Sequence, residues 1–133
     1  MMPIVGFLPA DDPRMLSTLR ATAERLTDEH GLVYRYRAHD GLEGEEGTFL
    51  LCTFWLAQAW ALAGELERAR ETFATAAAFA NDVGLLSEEV DPATREMLGN
   101  FPQAFSHIGL VNAAWAITKA EERRRAPSQR RQA

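Results

Sequence analysis

The sequence predicts an all-α chain, and three observations predict it. Among 133 residues, 22 are Ala while only 9 are Gly and 6 are Pro, and Ala is the residue that costs a helix interior least. Apolar residues recur at helical spacing in two stretches and cover nearly the whole circumference of two others. The four stretches alternate along the chain as half-wet, buried, half-wet, buried, which is the order a two-layer ring of helices produces. The expected architecture is therefore a partial (α/α) toroid of about four helices.

The first helix is expected over residues 11–28. Asp11 or Asp12 can cap it and Pro13 suits its first turn. Leu16, Leu19, Ala23 and Leu26 make one apolar stripe, with Arg14, Arg20, Glu24 and Arg25 on the wet side. Gly31 fits a helix stop. Residues 32–36 alternate weakly and read as extended, and Gly41, Gly44 and Gly47 mark a loop. The second helix, 48–63, is apolar on nearly every side, from Phe49 to Leu62, and Gly64 ends it. The third, 65–81, carries Leu66, Ala69, Phe73, Ala76 and Ala80 on one stripe and Glu65, Glu67, Arg68, Arg70 and Glu71 outside it. Residues 82–102 read as one long loop, and long ordered loops are often functional. The fourth helix follows Pro102 to about Glu121, with Phe105, Ile108, Leu110, Val111, Trp115 and Ile117 spread around it. Residues 1–121 form the expected domain and 122–133 a basic, disordered tail.

Charge and composition exclude several classes. The net charge is −5, divided between +4 on residues 119–133 and −9 on residues 1–118. An acidic body repels a phosphate backbone, which argues against nucleic acid as the partner. The most hydrophobic stretch, 49–63, is shorter than the roughly 20 residues of a membrane span. The short apolar run near the start lacks the basic residues and length of a signal peptide, so the expected location is the cytoplasm, with no membrane partner. One cysteine cannot build a disulfide framework. The scattered His30, His39 and His107 make no metal spacing, and no phosphate loop or dinucleotide motif is present. No cofactor is expected.

Three segments carry polar groups into apolar surroundings. In LSEEVDP (86–92), Glu88 and Glu89 stand side by side; they are either a catalytic carboxylate pair or part of a solvated loop capped by Ser87. In LGNFPQAFSHIG (98–109), Asn100, Gln103, Ser106 and His107 surround the start of a buried helix, as a capping network or as ligand-binding groups. In DGLEGEEGTFLLCTFW (40–55), Glu45 and Glu46 precede a buried helix whose dipole favours a carboxylate. There Trp55 is either core or a platform for a sugar, and Cys52 reads as an inert buried thiol.

Taken together and in this order, these segments resemble the C-terminal part of glycoside hydrolase family 15, the glucoamylases, glucodextranases and bacterial and archaeal trehalases. The carrying residues are 40–55, 86–92 and LGNFPQAFSHIGLVNAA (98–114), and VGFLPADDPR (5–14) looks like the family's link into a late helix. The resemblance spans about residues 4–118, and the FPQAFSH version looks closer to the trehalase-like and bacterial branch than to the fungal enzymes. It implies a six-hairpin (α/α)6 barrel and hydrolysis of α-glucosidic bonds with inversion. It places the general base at Glu88, with Glu89 as the alternative, pointing away or orienting a neighbour. Glu46, Trp55, Glu89, Asn100 and His107 are the implied substrate-binding residues. Nothing in the chain matches the family's general acid. The expectation is a C-terminal fragment, inactive alone, whose partners are an α-glucoside or oligosaccharide substrate and either a missing N-terminal half or a second copy. A helical-repeat binding module, suggested by the small-residue rhythm of 60–80, is the alternative; no second copy of that stretch occurs.

Overall fold

The computed structural model describes residues 1–38 and 46–129. Four helices dominate: α1 (Pro13–Leu26), α2 (Leu50–Leu62), α3 (Leu66–Ala77) and α4 (Ala104–Gln129). Between them run three two-residue strands, β1 (Thr48–Phe49), β2 (Glu89–Val90) and β3 (Met97–Leu98). The chain is thus mostly helical, with one small antiparallel sheet that the sequence does not announce.

Helix α1 begins where Asp12 caps it. The Asp12 carboxylate accepts from the Arg14 backbone N–H at 2.9 Å, and Pro13 fills the first turn. Met15 and Leu19 are its buried residues, and Arg14, Arg20, Glu24 and Arg25 face water. After Thr27 the chain reverses: the Asp28 carboxylate accepts from the N–H of His30 and Leu32. Gly31 turns there at φ +85°. Residues 32–34 are buried and extended, and the N–H of Phe49 donates to the Val33 carbonyl at 2.9 Å.

Helix α2 is the central element and touches α1, α3 and α4. Leu50, Phe54, Ala57 and Trp60 are sealed from water. Thr53 is buried too, and its hydroxyl donates to the Phe49 carbonyl while accepting from Val33 N–H, so it cements the helix start to the extended strand. Gly64, at φ +82°, turns the chain into α3. There Leu66, Ala69 and Ala76 face the core and Phe73 meets Phe54 with ring centroids 5.7 Å apart. Helix α3 stops at Ala77, four residues before the expected end, because the Asn81 side chain accepts from the N–H of Val83 and Leu85 and starts a turn.

The expected loop 82–102 is shaped by pairing. Phe49 stands opposite Glu89, which stands opposite Leu98. Thr48 pairs with Val90, and Val90 with Met97. Helix α4 then packs on α2 through Gly109, where an added Cβ would lie 2.9 Å from Leu51 Cδ1 and 3.1 Å from Phe54 Cβ.

Two expectations about α4 need correction. The stretch from residue 122, expected to be disordered, is helical through Gln129, while residues 130–133 lie outside the described ones. Ion pairs extend the helix: Arg70 Nη2 to Glu121 at 2.7 Å and Lys119 to Glu122 at 2.8 Å, and arginine is itself a good helix former. Nor is α4 covered on all sides. Phe105, Ile108, Val111 and Trp115 are 63, 52, 61 and 64% exposed along one stripe. Among the described residues, no helix is long and apolar enough to cross a membrane.

Candidate functional site

Residues 86–89 lie between the N-terminal ends of α2 and α4, and the protein fixes their backbone from both sides. From α4, the buried Ser106 hydroxyl donates to the Ser87 carbonyl at 2.7 Å, and Gln103 N–H donates to the Leu86 carbonyl at 2.8 Å. From α2, Leu50 N–H donates to the Glu88 carbonyl at 3.2 Å. The Ser87 hydroxyl turns back onto the Glu89 carbonyl at 2.7 Å. Leu86, Ser87 and Val90 are buried. With the backbone held by neighbours, the two carboxylates are the polar groups left to present.

They point into different surroundings, Glu88 from the bend just before β2 and Glu89 from the strand itself. Glu88 meets the turn before α4. Its Oε2 accepts from the Asn100 backbone N–H at 3.1 Å and from Asn100 Nδ2 at 2.8 Å. Glu89 lies against Gly47, where an added Cβ would come 2.5 Å from Glu89 Oε2. Burial, then the negative charges of Glu46 and Glu88, raise its pKa above the usual carboxylate value. Arg35 and the Gly47 N–H act in the opposite sense.

Glu46 belongs to the same neighbourhood. Its Oε1 accepts from Arg35 Nη2 at 2.8 Å, and the Arg35 guanidinium lies 4.7 Å from the Phe49 ring centroid and 5.0 Å from that of Tyr36. Glu45, the neighbour of Glu46, falls in 39–45, outside the described residues.

Of the residues singled out from the sequence, Glu46, Glu88, Glu89 and Asn100 therefore gather around β2. Trp55 lines a pocket of about 300 Å³ between α1 and α2 with Met1, Met15, Tyr34, Cys52 and Arg35, so Arg35 borders both this pocket and the Glu46 group. In that pocket wall the Cys52 thiol has its pKa pushed up to about 11 by burial. His107 sits in the second turn of α4, its Nδ1 2.8 Å from the Gln103 carbonyl and its Nε2 buried without a hydrogen-bond partner among the described residues. Two contributors escaped sequence reasoning. Arg35 left a faint signal as a cation set among aromatics in LVYRYR. The Ser87–Ser106 latch left none, since its halves are 19 residues apart. Among the described residues, no group of three or more His, Cys, Asp or Glu could hold a metal ion.

A trehalase of Mycolicibacterium smegmatis is 50% identical over 122 residues, covering 90% of this chain and 18% of that protein. A trehalase of Mycobacterium tuberculosis is 48% identical over 122 residues, with the same 90% and 18% coverage. A trehalase of Thermoplasma volcanium is 43% identical over 119 residues, 90% of this chain and 19% of the relative. The chain thus spans about a fifth of the length of the curated relatives it matches. No solved structure matches it. The family model described as Glycosyl hydrolases family 15 matches residues 1–115, and the chain belongs to that family.

Proposed function

We propose that this chain is the base-carrying portion of an inverting α-glucosidic hydrolase, with trehalose as the favoured substrate, and that Glu88 is its general base. The observation that carries the reading is the Glu88 carboxylate, clasped at one oxygen on a segment whose backbone is fixed between the starts of two core helices. In an inverting hydrolase one carboxylate takes a proton from water as that water attacks the anomeric carbon. A carboxylic acid on the other side protonates the departing glycosidic oxygen, and the two groups stand roughly 6.5–9.5 Å apart. Glu88 is suited to the first task because Asn100 engages only Oε2. Glu46, Glu89 and Arg35 form the polar wall beside it, as sugar-binding groups.

The acid has no match in this chain, so the catalytic unit is completed by the remainder of a longer family domain, a partial (α/α) toroid here. The exposed stripe of α4 supports this: an apolar helix face of that size asks for a partner surface. Residues 1–121 form the catalytic portion in this reading.

The test is a chimera in which this chain replaces the stretch it matches in the M. smegmatis trehalase. Glu88→Gln keeps shape and hydrogen bonding but cannot take a proton, and should lower kcat by about 10² or more with little change in melting temperature. If Glu89→Gln is the dead variant and Glu88→Gln is near wild type, the base is the next residue. If both stay active, the assignment of the base to this segment fails.

A further inference from the structure

The clasp on Glu88 has a specific construction. Asn100 donates twice to one oxygen, from its backbone at 3.1 Å and its side chain at 2.8 Å. Its own carbonyl accepts from Glu88 N–H at 2.9 Å. The two residues are thereby joined by three bonds, two to the carboxylate and one to the backbone behind it. Gly99 makes this approach possible. It sits at φ +71°, and a Cβ there would lie 2.9 Å from Glu88 Oε2 and 3.1 Å from Glu88 Cβ. Only a residue without a side chain allows the Asn100 amide to come that close.

We infer that Asn100, presented by Gly99, is a positioning residue for Glu88. The inference rests on the reading of Glu88 as the general base. A glutamate has three rotatable side-chain bonds, and a base must place one oxygen within hydrogen-bond reach of a single water. Both side-chain-directed donors converge on Oε2, so the carboxylate plane is fixed while Oε1 receives no hydrogen bond from Asn100. That bond takes one of the two Nδ2–H donors of Asn100 and leaves its Oδ1 outside the clasp, so the positioning role rests on the convergence at Oε2. Displacing a reacting group by about 1 Å can lower a rate by about 10², so loosening the clasp acts on turnover and not on affinity.

Two measurements test this. In the chimera described above, Asn100→Asp keeps size but replaces the amide donor with a second carboxylate beside Glu88. The expected result is a kcat lowered about 10²-fold, a KM changed less than about threefold and an unchanged melting temperature. Asn100→Ser, which removes the reach without adding charge, should lower kcat about tenfold, again at constant KM. A raised KM with wild-type kcat would mean that Asn100 touches sugar, and would overturn the inference.

The second measurement needs no activity. The chain has three asparagines, Asn81, Asn100 and Asn112, so selective ¹⁵N-asparagine labelling resolves the Asn100 side-chain amide. Its proton shift should follow the ionisation of Glu88 and lose that dependence in Glu88→Gln. An Asn100 amide indifferent to that substitution overturns the clasp even if no chimera folds. A fully active Glu88→Gln chimera overturns the base reading instead. A dead Glu88→Gln beside an unaffected Asn100→Asp overturns the positioning role alone.

Discussion

The stripe on α4 makes a quantitative prediction about the isolated chain. Phe105, Ile108, Val111 and Trp115 recur every three or four residues and keep 63, 52, 61 and 64% of their surface in water. Fully burying such a side chain contributes about 1.5–3 kcal/mol. At these exposures each withholds about 1–2 kcal/mol, and the four together about 4–8 kcal/mol. In a symmetric pair both stripes are covered, about 8–16 kcal/mol, against about 4–15 kcal/mol of lost freedom and ordering on association, so the stripe supports concentration-dependent self-association. Ile108→Gln, Val111→Gln and Trp115→Gln together remove most of it. Glutamine is at least as good a helix former as the residues replaced, and the sites are exposed. Folding stability should fall by about 1–3 kcal/mol, from the covered part of the three side chains and the lost stacking of Lys119 on Trp115 at 4.7 Å. Light scattering over concentrations on the order of 10–100 µM should show mass rising with concentration for the native sequence and a constant monomer for the triple variant. Binding of a hydrophobic dye should fall in parallel. A native chain that stays a sharp monomer without dye binding, or a triple variant that associates as before, would refute the reasoning.

Other outcomes follow from the same geometry. The purified chain alone should release no glucose from trehalose, maltose or starch, since proper acid catalysis contributes roughly 10²–10⁴ in rate; turnover that survives removal of host glycosidases would sink the fragment reading. Because burial and neighbouring acids raise the Glu89 pKa above its ordinary 4.5, the folded chain holds that proton more tightly than the unfolded one. The Glu89 contribution to stability is therefore present below about pH 4.5 and is lost as pH rises through the folded value. Denaturant titrations from pH 4 to 7, at about one-unit steps, should show Glu89→Gln gaining on the native chain as pH rises, and the opposite trend contradicts the assignment. Cys52, with its thiol at about 11, should react with iodoacetamide at pH 8 about 10²-fold more slowly than a free cysteine, and at the ordinary rate once denatured.

What the sequence reveals here depends on whether the signal is local. The α1 cap is local: Asp12, Pro13 and the Leu19 stripe are all within a few turns. The faces of α3 are equally legible from Leu66, Ala69 and Ala76. The start of α2 is not. It begins at Leu50, two residues after the expected start, because Thr48 and Phe49 pair with Val90 and Glu89 across the fold. Strands of two residues carry no alternation to read, so the segment 82–102 looks like a loop until its partners are known. The end of α4 is misread for a related reason. A run of arginines suggests a solvated terminus, but Glu67 and Arg70 on α3 supply partners that sequence order does not bring near. The carboxylates of residues 88 and 89 are visible as a pair and the resemblance singles out Glu88, yet nothing local joins Glu88 to Asn100, twelve residues on.

That long-range pairing also bears on which of two adjacent glutamates works as the base. A perturbed titrating group is often a mark of function, and Glu89 carries such a shift, upward. That direction argues against Glu89 as the base. A carboxyl raised by burial and by neighbouring negative charge holds its proton longer, which suits an acid or a neutral hydrogen-bond donor more than a group that must stand ionised beside water. Its Oε2 is also pressed against Gly47, where no Cβ would fit. Glu88 has the complementary setting, with two donors on one oxygen and none of them charged. Glu88 stands just before β2 and Glu89 begins it, and the two carboxylates meet different neighbours, Asn100 for Glu88 and Gly47 for Glu89. On this reasoning Glu88→Gln should abolish turnover of the completed enzyme, whereas Glu89→Gln should chiefly raise KM and flatten the pH dependence of stability, two signatures that kinetics and denaturation read separately.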